Sequence, residues 1–558
     1  MLYTAKNKNL KSEECKMTKR LLALLLAMVM CLSLFVACGN DGADETTSKQ
    51  GTPDVGDVGQ YDGELLFDEP FYIECTTYSV TDAERNNSAA VNAIKQATNV
   101  YLSYRELDNF DQQYALLLTD QKIPDLSFFW SNEFPPVYGP KGAFFDLMQY
   151  IDKMPNVKKA MEMYPTAFTE YVTADGEMYS LPMIVTGSTG AYQYLYRKDI
   201  LEKHNLKWAT SQEEFYQLLK DLKALYPNSY PFCIRNMDTG GVAYFARHFG
   251  IQMTTPTATF TYCSLDDPDT GKYYHAETAN EMRECVTFIN KLINEGLMLK
   301  TSLTMDTDGW QTAFASEKCF ITYDKLDRLE VMNPIIQDEN PEAKLVGGAP
   351  FAMGSNGTPY IGKAGNATTY SFAVGREANI DKMVVFLDWL YSDIGYEVTN
   401  WGLRGKHYTL NEAGEKIYTE ECYKIADEAN IGVKFATAFG YPGLCAISDY
   451  EAYLTSLDAD TIQSYRNAEA LQLDHGQAIL RNYTDSEQMV IDMYGLSLQQ
   501  WSRQIMSEFM SGERTISDAE WDWFVGEAKN RKVAQLIAVH EAAYARRQAE
   551  KEQAGLVD

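Results

Sequence analysis

The sequence predicts an α/β protein with doubly wound, mainly parallel sheets and more than one hydrophobic core. Three observations carry this. Between residues 65 and 130, short aromatic or β-branched runs alternate with segments of helical spacing, the pattern of a mainly parallel sheet. The 558 residues are too many for one core. From Ser486 to Arg547 the pattern is helical, which adds a helical C-terminal region.

In chain order, Leu65–Tyr78 reads as a first strand centred on Phe71-Tyr72-Ile73, and Asn87–Thr98 as a helix. Asn99–Tyr104 and Pro124–Trp130 are the next strands, separated by a helix over Asp111–Thr119. Ligands of open α/β sheets sit outside the carboxyl ends of the strands. Thr76, Thr77 and Tyr78 after the first strand, and Trp130 and Ser131 after the third, are therefore candidates to face a ligand. Asp175-Gly176 signals a hairpin that Met178–Leu181 leaves. Tyr192–Tyr196 is a short aromatic strand, followed by helices over Asp199–His204 and from Ser211, where Ser211 and Glu214 spell a capping box. Pro231–Arg235 and Cys319–Tyr323 read as strands, with a helix at Ala279–Glu295 between them. Ala367–Val374 reads as a strand, Asp381–Ser392 as an amphipathic helix, and Ser517 with Glu520 as a second capping box. Asp266–Lys272 is an acidic turn cluster, but its spacing does not fit a calcium loop. No metal and no cofactor are expected.

The formal charge of −29 excludes nucleic acid as a partner, because an acidic surface repels phosphate. Met17–Cys38 has a basic start at Lys19-Arg20 and an apolar run over Leu21–Ala37, which predicts a signal peptide within residues 1–37 and translation from Met17. Six basic and two acidic residues lie in that leader, so its removal leaves −33. Gly39–Tyr61 is rich in Gly, Asp, Ser and Thr and reads as a flexible tether over 38–62. The ten cysteines are scattered without zinc spacing, and buried free thiols are expected.

Several stretches resemble one family. Phe35-Val36-Ala37-Cys38 resembles the lipobox of bacterial lipoproteins, which implies a lipid on Cys38 and a place on the outer face of the cytoplasmic membrane. "DGEMYSLP", then "YRKDILEKHNL" and a capped helix, resembles the extracellular solute-binding proteins of ABC importers. The likeness is to the carbohydrate-binding branch, in the long Gram-positive lipoprotein form. "FINKLINEGLMLKTS", "TDGWQTAFASEKCFITYD" and above all "NWGLRGKHY" resemble the same family. The resemblance implies a two-lobed, periplasmic-binding-protein-like fold of type II, with lobe 1 at 63–185, lobe 2 at 186–366, and a return to lobe 1 over 367–558. It implies a hinge and one cleft wall within Tyr171–Tyr226, and ligand contacts from Tyr192, Trp310, Tyr323, Trp401 and Tyr441 beside Tyr78, Trp130 and Ser131. Arg404, His407 and Tyr408 are weaker candidates. The implied partners are an oligosaccharide and the membrane permease, with the receptor itself a monomer.

No G-x-S-x-G, Walker loop, G-x-G-x-x-G after a strand or H-E-x-x-H is present, and six histidines offer little general-base chemistry. A receptor rather than an enzyme is expected. A peptide-binding receptor and a surface glycan hydrolase or lyase are the alternatives.

Overall fold

Two larger sheets organise the chain, one built from its outer parts and one from its middle. The computed structural model describes residues 61, 63–77, 89–107, 110–129, 134–169, 171–173, 175–187, 192–237, 242–251, 263–267, 272–357, 361–362, 367–420, 422, 444–455, 457–473 and 483–553. All of these lie in the compact unit Asp57–Asp558.

The first sheet has six strands in the spatial order Ile447–Ser448, Leu181–Val185, Ala367–Val374, Leu126–Phe129, Phe71–Thr77, Val100–Glu106. Only Ala367–Val374 runs antiparallel to its neighbours. Helix Ala89–Thr98 buries Ala90, Ala93, Ile94 and Ala97 in the core of this sheet; small residues on the inward face allow close approach. The second sheet has four strands in the order Leu345–Gly348, Tyr192–Arg197, Ile321–Lys325, Phe232–Cys233. Here only the last pairing is parallel, so the mainly parallel pattern describes the first sheet and not the second. Tyr192–Arg197 follows a strand of the other sheet, so no crossover helix within its own sheet forces it parallel.

Local signals explain most element ends. Gly176 takes φ 81° in the hairpin turn, where a Cβ would be disfavoured. Ser211 accepts from the Glu214 amide at 3.2 Å, but Glu214 reaches back to Thr210 rather than to Ser211, so the box is completed one residue early. Ser517 caps its helix in the same one-sided way, while Glu520 pairs with Arg514. The complete capping box is at Thr484 and Glu487, opening the long helix Asp485–Ser511. In "YRKD", Arg197 is buried and forks onto Asp199 at 2.7 Å through both Nε and Nη2. Asp199 also accepts from the Lys344 amide, which ties the strand start at residue 345 to this helix.

The stretch expected to return to lobe 1, 367–558, divides. Of the described residues, Ala367–Val374 and Ile447–Ser448 pair in the first sheet, and Phe386, Trp401, Tyr408 and Tyr418 pack in its core. Beyond them, Tyr453, Leu454 and Tyr465 pack with Trp310 and Leu345 of the second sheet's surroundings, and Ser464 accepts from the Gly347 amide. The helices Asp485–Ser511 and Asp518–Asn530 insert Ile505, Phe509, Trp521 and Phe524 against helix Asn280–Asn294, and Asn290 donates to Phe509 O. The reason is the strong apolar stripe of Asn280–Asn294, from Met282 to Ile293, which one sheet cannot cover on both sides. Cysteines 75, 233, 285, 319, 422 and 445 are free and buried. Among the described residues no helix is long and apolar enough to cross a membrane.

Arg197→Ala would leave Asp199 facing a buried gap. Loss of a buried partner of this kind costs about 3–5 kcal/mol, so urea unfolding should show a lower midpoint and an unfolding free energy reduced by about that amount.

Candidate functional site

The carboxyl ends of the parallel strands gather the polar and aromatic groups. In the second sheet, Arg235 lies just past Phe232–Cys233 and Asp324 near the end of Ile321–Lys325, two neighbouring parallel strands. The Arg235 guanidinium donates from Nε to Asp324 Oδ2 at 2.6 Å and from Nη2 to Oδ1 at 3.0 Å. Its Nη1 donates to Thr307 Oγ1 at 3.0 Å, and its plane lies over the Trp310 ring at 5.2 Å. Asp324 is buried and Arg235 only partly, so the pair presents a fixed, bidentate charge couple at the edge of the core. Asp327 and Arg328 form a second, more exposed pair next to it, 3.1 Å apart.

Beside them Tyr192, the first residue of the antiparallel strand and register partner of Lys325, stacks on Tyr244 with ring centroids 3.9 Å apart and planes 8° apart. Both rings are half-buried. Arg247 lies over the other ring of the pair, 5.1 Å from the Tyr244 centroid. Burial pushes the Tyr192 phenol well above its ordinary value, and the neighbouring Tyr244 and Asp324 add to this. The phenol therefore stays a neutral donor at any working pH.

In the first sheet the corresponding ends are Thr186-Gly187, after Leu181–Val185, and Asp449-Tyr450, after Ile447–Ser448. Trp401 closes helix Asp393–Trp401 and donates from Nε1 to Asp449 Oδ2 at 2.8 Å. Asn400, next to it, accepts from the Asp449 amide at 2.7 Å and donates to Ile447 O at 2.8 Å. Within the same motif His407 is buried and its Nδ1 accepts from the Leu403 amide at 2.9 Å, closing the Gly402–His407 turn.

The residues expected from sequence separate into three groups. Tyr192 stands at the end of the second sheet where Asp324 lies. Trp310 and Tyr323 lie in the core behind it. Trp310 is fully buried because it shares the inward face of helix Thr307–Ala315 with Ala313 and Phe314, and its Nε1 donates to Thr322 Oγ1 at 3.2 Å. Tyr323 belongs to a strand covered on both faces, and its ring packs edge-on against Tyr194, Phe245 and His248. Trp401 is also buried, its ring covered by Tyr418 at 4.9 Å. Tyr408 is buried with its hydroxyl on Glu397, and Arg404 is exposed. Tyr78, Trp130, Ser131, Tyr441 and Cys38 lie outside the described residues. Sequence reasoning passed over Tyr244, Arg235, Asp324 and Asp449. A signal existed for two of them: "CIR" and "TYD" place opposite charges at the ends of adjacent parallel strands.

No protein-family model matches the chain. It is 23% identical over 279 residues to lipoprotein LipO of Bacillus subtilis (strain 168), covering 49% of this chain and 53% of that protein. It is 23% identical over 306 residues to the polygalacturonan/rhamnogalacturonan-binding protein YtcQ of the same organism, covering 51% and 55%. The chain thus spans about half the length of these curated relatives. Among solved structures, the alginate-binding protein AlgQ2 without calcium ion superposes with a TM-score of 0.66 at 20% identity, over 86% of this chain and 99% of that one. The chain shares the fold of that binding protein. Within this fold the Tyr192–Tyr244 and Arg235–Asp324 groups lie at one sheet, and the Asn400–Trp401–Asp449 group at the other.

Trp310→Ala should lower stability by about 3–5 kcal/mol, as for a large buried aromatic, whereas Tyr244→Ala should leave the unfolding midpoint close to that of the parent protein. Chemical denaturation of both variants checks this. A pH effect is also expected. Burial holds His407 and His540 down to about 4, and His248 to about 3. Each stays neutral in the folded protein while the unfolded chain takes up a proton near pH 6.5. Stability is then constant above about 6.5 and falls as pH drops from there toward about 4, by about 1.4 kcal/mol per pH unit for each histidine. His407→Asn keeps an acceptor for the Leu403 amide and should make the acid loss shallower between pH 7 and pH 5, by about 2 kcal/mol in urea titrations.

Proposed function

We propose that this chain captures an oligosaccharide or related sugar between two hinged lobes and delivers it unchanged to the membrane permease of an ABC importer. The observation that carries the reading is the stacked Tyr192–Tyr244 pair beside the Arg235–Asp324 couple, at the carboxyl ends of the second sheet. Aromatic faces suit the apolar faces of sugar rings, and fixed charged donors and acceptors suit hydroxyls. YtcQ is described as binding polygalacturonan and rhamnogalacturonan, and AlgQ2 as binding alginate, all of them glycans. In this reading one lobe comprises 63–185 with 367–448, and the other 186–366 with the helices from 450 onward. Trp310 and Tyr323 support the wall from behind. Tyr78, Trp130, Ser131 and Tyr441 are proposed to add contacts around the cleft, with Trp401 setting the position of Asp449.

A lipid on Cys38 and the tether over 38–62 would keep the receptor at the outer face of the cytoplasmic membrane. Closure around the sugar would produce the form that the permease recognises.

A thermal-shift screen against plant, host and microbial oligosaccharides and short peptides tests the reading. A sugar at 100 times its dissociation constant should add about 2.7 kcal/mol of stability and be recovered intact. A shift with peptides alone would replace the sugar by a peptide, and a shift that fades as products appear would make the protein an enzyme.

A further inference from the structure

Two passages between the sheets run side by side at one point. Leu181–Val185 and Ile447–Ser448 are parallel neighbours, with Ile184 opposite Ile447 and Val185 opposite Ser448. Beyond the pairing, the Thr186 hydroxyl donates to Ser448 O at 2.7 Å and accepts from the Tyr450 amide at 3.1 Å. Thr186 therefore clasps the two passages just where they leave the first sheet. Next to it, a Cβ on Gly187 would lie 2.3 Å from Tyr450 Cγ and 2.7 Å from Tyr450 Cβ. These are the root atoms of the tyrosine, so no swing of its ring relieves the overlap.

Tyr450 marks the change of allegiance. One residue earlier, Asp449 is held to the first-sheet side by Asn400 and Trp401. The Tyr450 ring instead belongs to the cluster of Tyr453 and Tyr465, and the latter's hydroxyl bonds that of Tyr453 at 2.5 Å. Arg466 of the same helical segment lies 6.0 Å from the Tyr450 ring centroid. Gly187 thus presses flat on the first side chain of the passage that is built into the other body.

We propose that Gly187 is a positioning residue for sugar capture: its bare backbone lets the two passages lie in contact, and the Gly187–Tyr450 contact, clasped by Thr186, sets the angle at which the lobes stand. This rests on the reading of the chain as a hinged receptor. A side chain at position 187 spreads the passages and changes the angle between the cleft walls, while every group on those walls stays in place.

The test compares the parent protein with Gly187→Ala, Tyr450→Ala, the double variant, and Thr186→Val, which loosens the clasp without adding bulk at 187. Small-angle scattering of the ligand-free proteins reads the lobe angle, and binding of oligogalacturonides and kestose reads capture. Gly187→Ala and Thr186→Val should each change the radius of gyration, and Gly187→Ala should weaken binding about tenfold. The alanine at 187 should have a smaller further effect once Tyr450 is cut back to alanine, because the 2.3 Å approach to Cγ is then gone and only the 2.7 Å approach to Cβ remains. Parent-like scattering in both Gly187→Ala and Thr186→Val overturns the proposal. So does full additivity of Gly187→Ala and Tyr450→Ala, which would mean that the two residues do not act through their contact. If Gly187→Ala fails to fold, the Thr186→Val scattering decides. If the parent binds neither probe nor any sugar of the wider screen, the receptor reading fails, and the scattering comparison still decides the hinge.

Discussion

The side chain of Asn400 holds the last passage of the chain out of the first sheet. Its amide donates to Tyr396 O and Ile447 O, both at 2.8 Å, and its carbonyl accepts from the Asp449 amide and from Cys445 Sγ. Tyr418 donates to the backbone carbonyl of the same residue. The strand it braces, Ile447–Ser448, is only two residues long and lies at the edge of its sheet, so pairing alone gives it little hold. A buried amide with its bonds made is costly to disturb, because any displacement leaves several polar groups without partners at once. The helices from Tyr450 to Gln553 follow this point in the chain and pack on the second sheet's side, so their placement depends on where the strand is held.

The rest of the "NWGLRGKHY" run makes this brace rigid. Gly402 takes φ 78° and Gly405 φ 84°, so the chain turns sharply after the helix. His407 fills the turn as a neutral acceptor, and Trp401 reaches out of it to Asp449. The motif thus braces the end of the first sheet through Asn400 and Trp401. Its tryptophan tolerates burial because its indole nitrogen has a carboxylate partner just past Ile447–Ser448.

The Arg235–Asp324 end of the second sheet follows a different logic. A partly buried Arg–Asp pair contributes little net stability, since desolvation offsets the attraction, but it fixes direction. Held by Asp324, Thr307 and the face of Trp310, the Arg235 guanidinium has almost no freedom left. The stacked tyrosines beside it are equally constrained. Side chains held this way have little conformational entropy left to lose.

The sequence alone determined the elements whose signal is local. Ala367–Val374 is a strand over the same residues in sequence and structure, and helix Asn280–Asn294 differs from its expected span by one residue at each end, because periodicity and flanking caps are local chemistry. It also carried the order of motifs from which the two-lobed fold follows by resemblance. Only the tertiary structure decided which aromatic side chains reach a surface. Trp310 and Tyr323 were as eligible as Tyr192 and Tyr244 from their positions, but a helix stripe or a strand end says only that a face exists, not what covers it. The covering groups come from far along the chain. Likewise the C-terminal helices announce an apolar face in their sequence, and the apolar stripe of Asn280–Asn294, more than two hundred residues earlier, decides where that face is buried.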